Sequence, residues 1–391
     1  MNDRETRHAE LAEHYLPAEV LARVRERAAE YDRENRFFDE DLAELIDRGY
    51  LQVFVPAEFG GPGLTLHEVS RLQQRLAGAA PATALAVNMH LLCTGVAAAL
   101  LARGDRSLVR VLDEAVAGEI FAFGISEPGN DWVLQGSNTV ADPQPDGSYR
   151  LSGVKIFTSL SPAWTRLIAH GLDASDPESP QLVFGFIERG DAGVSVSEHW
   201  DVLGMRASQS RATTLDAAVI PADRVVRRVE PGRVPDLLTF SIAAQFQLLV
   251  GSVYAGVARR CLELGAEALR RRRSAARDLA LAEAPEWRSR IAEAHRAFLS
   301  VPALLDSATR DFDEQIDHGA AWPLKFVTAR IAAGDAARSA AETALACSGG
   351  AGFGGANEAS RLYRDAAASL FHPPGAEAAQ AMYAAALLDD H

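Results

Sequence analysis

The sequence predicts an α+β protein in three consecutive parts: an N-terminal helical domain over residues 1–118, a central β domain over 119–230, and a C-terminal helical bundle over 231–391. Three observations predict this order. Apolar residues recur at helical spacing up to about residue 118. Short β-prone runs separated by Gly, Pro, Asp and Ser clusters follow, up to about Val226. Long helical patterns return from about residue 235.

In the first part, Glu19–Ala29, Asp39–Arg48, Leu66–Ala77 and Ala82–Ala102 carry the helical periodicity. The stretch Val55-Pro-Ala-Glu-Phe-Gly-Gly-Pro-Gly-Leu64 interrupts them as a turn-rich loop. In the second part, strands are expected at Ile120–Ile125, Asn138–Ala141, Tyr149–Ser152, Lys155–Ser159, Arg166–Gly171, Leu182–Ile187 and Thr213–Ile220. Pro145-Asp-Gly147 is a hairpin turn signal between two of them. The third part reads as helices at Pro235–Arg273, Glu283–Asp313, Trp322–Cys347 and Ala376–Asp389. Ser348-Gly-Gly350 supplies a glycine C-cap for the alanine-rich third helix. Leu279–Glu286 is expected to be a flexible break between helices.

Composition narrows the function classes. A chain of 391 residues with 48% hydrophobic and 24% charged residues can bury a large core. A net charge of −14 argues against a nucleic-acid binder, which would show a basic face. The short basic run Arg270–Arg273 sits in a helical pattern and reads as a solvated face. No apolar run of the ~18 residues needed to span a membrane is evident, and no secretory h-region. The three cysteines, Cys93, Cys261 and Cys347, lack metal-ligand spacing and lie in apolar settings. No metal is expected, and a reducing, cytoplasmic compartment is.

Five stretches carry more specific information: Val55-Pro-Ala-Glu-Phe-Gly-Gly-Pro-Gly63, Phe123-Gly-Ile-Ser-Glu-Pro-Gly129, Gly153-Val-Lys-Ile-Phe-Thr-Ser159, Leu203-Gly-Met-Arg-Ala-Ser208 with Val219-Ile-Pro221, and Gly349-Gly-Ala-Gly-Phe353 with Arg361-Leu-Tyr-Arg-Asp-Ala366. In order and spacing they resemble the acyl-CoA dehydrogenase superfamily. The resemblance implies that family's fold and a bound flavin: FAD, which the glycine block favours, with FMN as the alternative. An isoalloxazine ring needs a flat apolar wall and hydrogen bonds to its pyrimidine edge and N5. The resemblance places Phe157 at the wall and Ser126, Thr158 and Ser159 at the polar edge, with Ser159 at the position that faces N5. Gly349, Gly350 and Gly352 would let backbone approach the cofactor's adenosine side. Glu127 reads as a residue that orders the strand-to-loop turn, and Arg364 with Asp365 as a structural ion pair.

The chain departs from the dehydrogenase pattern at the base. Where most such dehydrogenases carry the glutamate that removes the proton α to a thioester, this chain has Pro373, which cannot accept a proton. At the alternative base position on the first long C-terminal helix it has Phe246, followed by Gln247 where the family usually has Arg. The family's Gly-Ser-Asp is shortened to Asn130-Asp131-Trp132, and its Arg…Phe-Gly piece is not recognisable after Arg273.

Phe371-His-Pro373 resembles instead the His-Asp-Pro element of dibenzothiophene-monooxygenase-like flavin enzymes of the same fold. That resemblance implies a monooxygenase-type reaction on a small organic substrate through a C4a-hydroperoxyflavin. Ser159 would stand at N5, His372 would be proton donor or base, and His90 a secondary relay. Neutral hydroxyl and imidazole groups suit such a reaction, because they can hold a proton near neutrality. Phe371, Pro373 and Pro374 would form an apolar lid. A reductase or electron-transfer partner would supply electrons, and the long C-terminal helices suggest a homodimer or homotetramer. Two other readings stay open. One is an acyl-CoA or acyl-carrier dehydrogenase with a displaced base, for which Glu377 is the nearest spare carboxylate. The other is an inactive flavoprotein-like subunit.

Overall fold

The computed structural model describes residues 3–232 and 234–389. The chain opens with α1 (Asp3–Tyr15), α2 (Ala18–Glu34), α3 (Asp39–Asp47), α4 (Leu66–Ala77), α5 (Pro81–Ala102) and α6 (Val109–Val116). Local signals fix several ends. Thr65 caps α4 and Glu68 reaches back to the Thr65 backbone, a reciprocal pair that satisfies two donors at the helix start. Pro81 begins α5, where a missing N–H costs nothing.

Eight strands follow in one sheet: β1 (Phe121–Gly124), β2 (Val140–Pro143), β3 (Tyr149–Thr158), β4 (Arg166–Asp173), β5 (Gln181–Glu188), β6 (Val194–Val196), β7 (Arg211–Ile220) and β8 (Val225–Val229). Their order is β6-β7-β3-β2-β4-β5-β8, with β1 parallel to β4. The two strands expected at 149–152 and 155–159 are one bent strand, β3. Its pairing with β7 shifts register between Leu151 and Gly153 and again between Lys155 and Thr158. Such bulges re-aim side chains. Here the second leaves Phe157 at φ 56°, a left-handed conformation costly for an aromatic residue.

The C-terminal part comprises α7 (Leu237–Arg271), a small hairpin of β9 (Arg273–Ser274) and β10 (Leu279–Ala280), then α8 (Pro285–Asp313), α9 (Trp322–Ser348), α10 (Glu358–Ala367) and α11 (Ala376–Leu388). Asp236 caps α7 by accepting from Leu238 N at 2.8 Å and Thr239 N at 3.2 Å. Gly349 ends α9 at φ 64°. The segment read as a flexible break is thus partly ordered: β10 pairs with β9, and Leu281 packs on Ala268, Leu269 and Cys347.

Two helices correct the expectation that no apolar run is long enough to cross a membrane. α5 and α7 both are, by length and composition. They are instead core helices: the apolar window of α5 is 89% buried and that of α7 72%. α7 lies at the centre, packed on α4, α5, α8 and α9.

Candidate functional site

The bulge in β3 presents two features side by side. Phe157 is 52% exposed and meets Trp200 edge-to-face at 6.4 Å, so a large flat ring stands uncovered. Next to it Ser159 is buried, and its hydroxyl bonds Ser210 Oγ at 2.7 Å, which bonds Ser208 Oγ at 2.8 Å. The Thr158 hydroxyl is buried with no partner, which is costly unless a ligand or water satisfies it. Ser126, half-buried, accepts from Ile156 N at 2.8 Å through its carbonyl, which ties the β1 end to β3. An uncovered aromatic wall, a row of hydroxyls and an orphaned buried hydroxyl are what a flavin ring requires, and these residues fit it.

Behind this surface lies a buried ionic network. Lys155, on β3, bonds the Glu127 carboxylate, the His170 carbonyl at 2.6 Å and His170 Nδ1 at 3.2 Å. Glu127 also accepts from Ser137 Oγ and Thr139 Oγ1, both at 2.6 Å, and from Asn138 N at 2.6 Å. Although burial opposes it, the Lys155 charge and these donors hold the Glu127 carboxyl down at about 2. Burial pulls the Lys155 ammonium down to about 8, partly offset by Glu127. The network shapes the 127–139 turn and holds Lys155 in the strand that presents Phe157 and Ser159.

The second cluster surrounds His372. The hydroxyl of Tyr254, fully buried on α7, lies 2.6 Å from His372 Nε2. Phe246 meets the imidazole edge-to-face at 6.2 Å. Gln247 Nε2 donates to Pro373 O at 2.8 Å, Arg330 Nε to Gln247 Oε1 at 2.6 Å, and the Arg330 fork reaches Pro374 O. Burial, then the Arg330 charge, pulls the His372 imidazole down to about 3, so it is neutral at physiological pH. Burial pushes the Tyr254 hydroxyl up, so it keeps its proton. Its partner in the structure is His372 Nε2. With Tyr254 as the donor, the imidazole proton sits on Nδ1.

Arg330 was not among the residues read from sequence, and Tyr254 was read only as the end of a pocket-lining stretch, Phe240–Tyr254, without a role of its own. Their signal was weak: one phenol in an apolar helix, and one cation interrupting Phe326-Val-Thr-Ala-Arg-Ile-Ala332.

The other expected residues sit differently. His90 is a core residue: Nε2 donates to Leu51 O at 2.8 Å and Nδ1 accepts from Phe121 N at 3.1 Å. With both nitrogens committed to backbone it has no free position for a relay, and burial lowers it to about 4. Gly349 caps α9, with the Arg272 guanidinium 2.5 Å from where a Cβ would lie. Gly352 packs on Ser348 and Leu345, while Gly350 is open. Two of the three therefore have local roles independent of any cofactor. Phe371 is 73% exposed and does not cover His372 within this chain; Phe246 is the apolar neighbour. Glu377 is exposed in the first turn of α11. Arg364 pairs with Asp32 on α2 rather than with Asp365, whose carboxylate accepts from Met205 N at 2.6 Å.

That last contact links the two clusters, which share no hydrogen bond among the described residues. The 204–210 segment, which carries Ser208 and Ser210, docks on α10, and α10 leads through a 3-10 turn to His372. The docking is close: a Cβ on Gly204 would lie 2.1 Å from Arg364 O. Gly204→Ala is expected to destabilise the protein by ~1–3 kcal/mol through overpacking and to weaken flavin retention. Urea unfolding and the flavin content of the purified variant check this.

Two family models match the chain: the acyl-CoA dehydrogenase N-terminal domain over residues 10–119 and the C-terminal domain over residues 244–386. The amino sugar nitrososynthase DnmZ of Streptomyces peucetius is 28% identical, over 93% of this chain and 88% of that protein. Dibenzothiophene monooxygenase of Mycolicibacterium goodii is 24% identical, over 67% of this chain and 65% of that protein. Among solved structures, KijD3 in complex with FMN and dTDP-3-amino-2,3,6-trideoxy-4-keto-3-methyl-D-glucose superimposes with a TM-score of 0.82 at 27% identity, covering 95% of this chain and 91% of that one.

Proposed function

Since this chain belongs to the acyl-CoA dehydrogenase superfamily, whose members include flavin-dependent oxidoreductases, we propose that it is a cytoplasmic monooxygenase that transfers oxygen to a heteroatom, an amine nitrogen in particular, of a small substrate. One observation carries the reading. Both positions where the family holds a carboxylate base are apolar, Pro373 and Phe246, and beside them stands a neutral imidazole anchored by Tyr254. The similarity to an amino sugar nitrososynthase over most of both chains supports an amine as the acceptor.

Phe157 would form the wall of the flavin site, and Ser126, Thr158 and Ser159 its polar edge, with Ser159 held by Ser210. FMN, the cofactor in the KijD3 complex, fits this chain at least as well as FAD, because Gly349 and Gly352 have local roles. Reduced flavin, when bound, supplies O₂ activation. His372 offers Nδ1–H as a neutral donor and holds its proton, and Phe246 keeps water from one side of the ring. A partner reductase would supply electrons. Phe353 and Leu387, at separate places in the C-terminal part and each more than four-fifths exposed, support burial of apolar surface in a homodimer or homotetramer.

Two outcomes test this. With a dTDP-linked amino sugar as probe, turnover is expected to require both reduced flavin and O₂. Anaerobic bleaching of the flavin by an acyl thioester would support a dehydrogenase instead, and inertness in both assays an inactive subunit. The pH profile is a second test. His372 titrates near 3 and Tyr254 far above neutrality, so kcat/KM is expected to show no ionisation of this pair between about pH 5 and 8.

A further inference from the structure

Arg330 is almost wholly buried, yet among the described residues it makes no ion pair with a carboxylate. A buried cation without a counter-ion is expensive, so its retention points to a specific use. Its hydrogen bonds all serve one turn. Nε holds Gln247 Oε1, Gln247 Nε2 holds Pro373 O, and the guanidinium holds Pro374 O. These three bonds close a clamp across α7, α9 and the residues directly after His372.

We propose that Arg330, with Gln247, is the positioning device for His372: it fixes the 372–375 turn on α7 and α9 and sets a positive field at the imidazole. The proposal rests on the reading of His372 as the residue that holds the proton. A guanidinium remains charged in any protein environment. Other charged groups near the turn are engaged elsewhere: Asp335 with Arg338, Arg338 also with Ser369 Oγ, and Asp365 with Met205 N. Tyr383 meets Thr328, Tyr254 meets His372, and Glu377 is exposed. Arg330 is therefore the charge that His372 experiences most directly, and it opposes protonation. The family pattern places a cation at the position of Gln247. Here the cation stands on α9, and Gln247 couples it to the turn.

The test is histidine-selective NMR of flavin-bound protein across a pH series, with His372 assigned by its loss in His372→Gln. This readout does not depend on turnover, so it can fail while the oxygen requirement stands, or hold while that requirement fails. In the wild type His372 is expected to stay neutral down to about pH 5. In Arg330→Met its midpoint is expected to rise by about one pH unit or more, and in Arg330→Lys to stay low. An unmoved midpoint in folded Arg330→Met, or an ordinary midpoint in the wild type, overturns the proposal. Should Arg330→Met not fold, Gln247→Met keeps the charge and cuts the bridge. Hydrogen exchange across 370–376 is then expected to rise about tenfold or more as the turn opens locally. Exchange at the wild-type rate overturns the proposal.

Discussion

His372→Ala is expected to reduce turnover by about 10²–10⁴-fold while leaving flavin binding intact, the scale typical of a lost acid–base residue. The imidazole stands at a turn clamped from two helices, with Nε2 paired to the Tyr254 hydroxyl at 2.6 Å, a pairing that with Tyr254 as donor leaves Nδ1–H to donate. Its loss removes that donor without touching the Phe157 and Ser159 surface. Tyr254→Phe should fall between the wild type and His372→Ala, because it frees the ring without removing it. Single-turnover kinetics on flavin-loaded protein separate the variants. Equal rates for His372→Ala and the wild type would remove His372 from the mechanism.

Lys155→Met is expected to destabilise the fold by ~3–5 kcal/mol, because it leaves the Glu127 carboxylate buried without its cation. Glu127 lies among hydroxyl and amide donors that do not neutralise it, and the Lys155 ammonium directly contacts it. The double variant Lys155→Met/Glu127→Gln is expected to recover part of the loss, since no charge then remains to desolvate. Urea denaturation of the wild type, Lys155→Met, Glu127→Gln and the double variant gives the coupling. The pH dependence has a definite sign. A carboxyl held at about 2 contributes stability that is present above its unfolded value near 4 and is lost as pH falls through the folded value. The wild type's margin over the double variant is therefore expected to shrink in acid.

The fold was largely legible in the sequence, because helical periodicity and strand runs separated by turn residues are local signals. The omissions have physical causes. β6 is three residues long, and β8 reads Val-Val-Arg-Arg-Val without strand alternation, so neither stands out from loop sequence. β3 reads as two strands because Gly153 interrupts its pattern, and only pairing with β7 shows one bent strand. α10 lay within a motif read for its chemistry, not as a helix. At the site, residues contiguous in sequence, such as Phe157 to Ser159, could be read together. Tyr254 and Arg330 meet the His372 turn across long sequence separations, so no spacing in the chain announces them. His90 shows the reverse. A histidine on an apolar helix looked available, and the structure spends both its nitrogens on backbone.

The most direct test of the central claim is stopped-flow mixing of anaerobically reduced, flavin-loaded protein with oxygenated buffer, followed by flavin absorbance. Reoxidation is expected in two resolved phases, the first dependent on O₂ concentration and the second independent of it and faster in His372→Ala. A single O₂-dependent phase returning directly to oxidised flavin, together with anaerobic bleaching by an acyl thioester, would contradict the account.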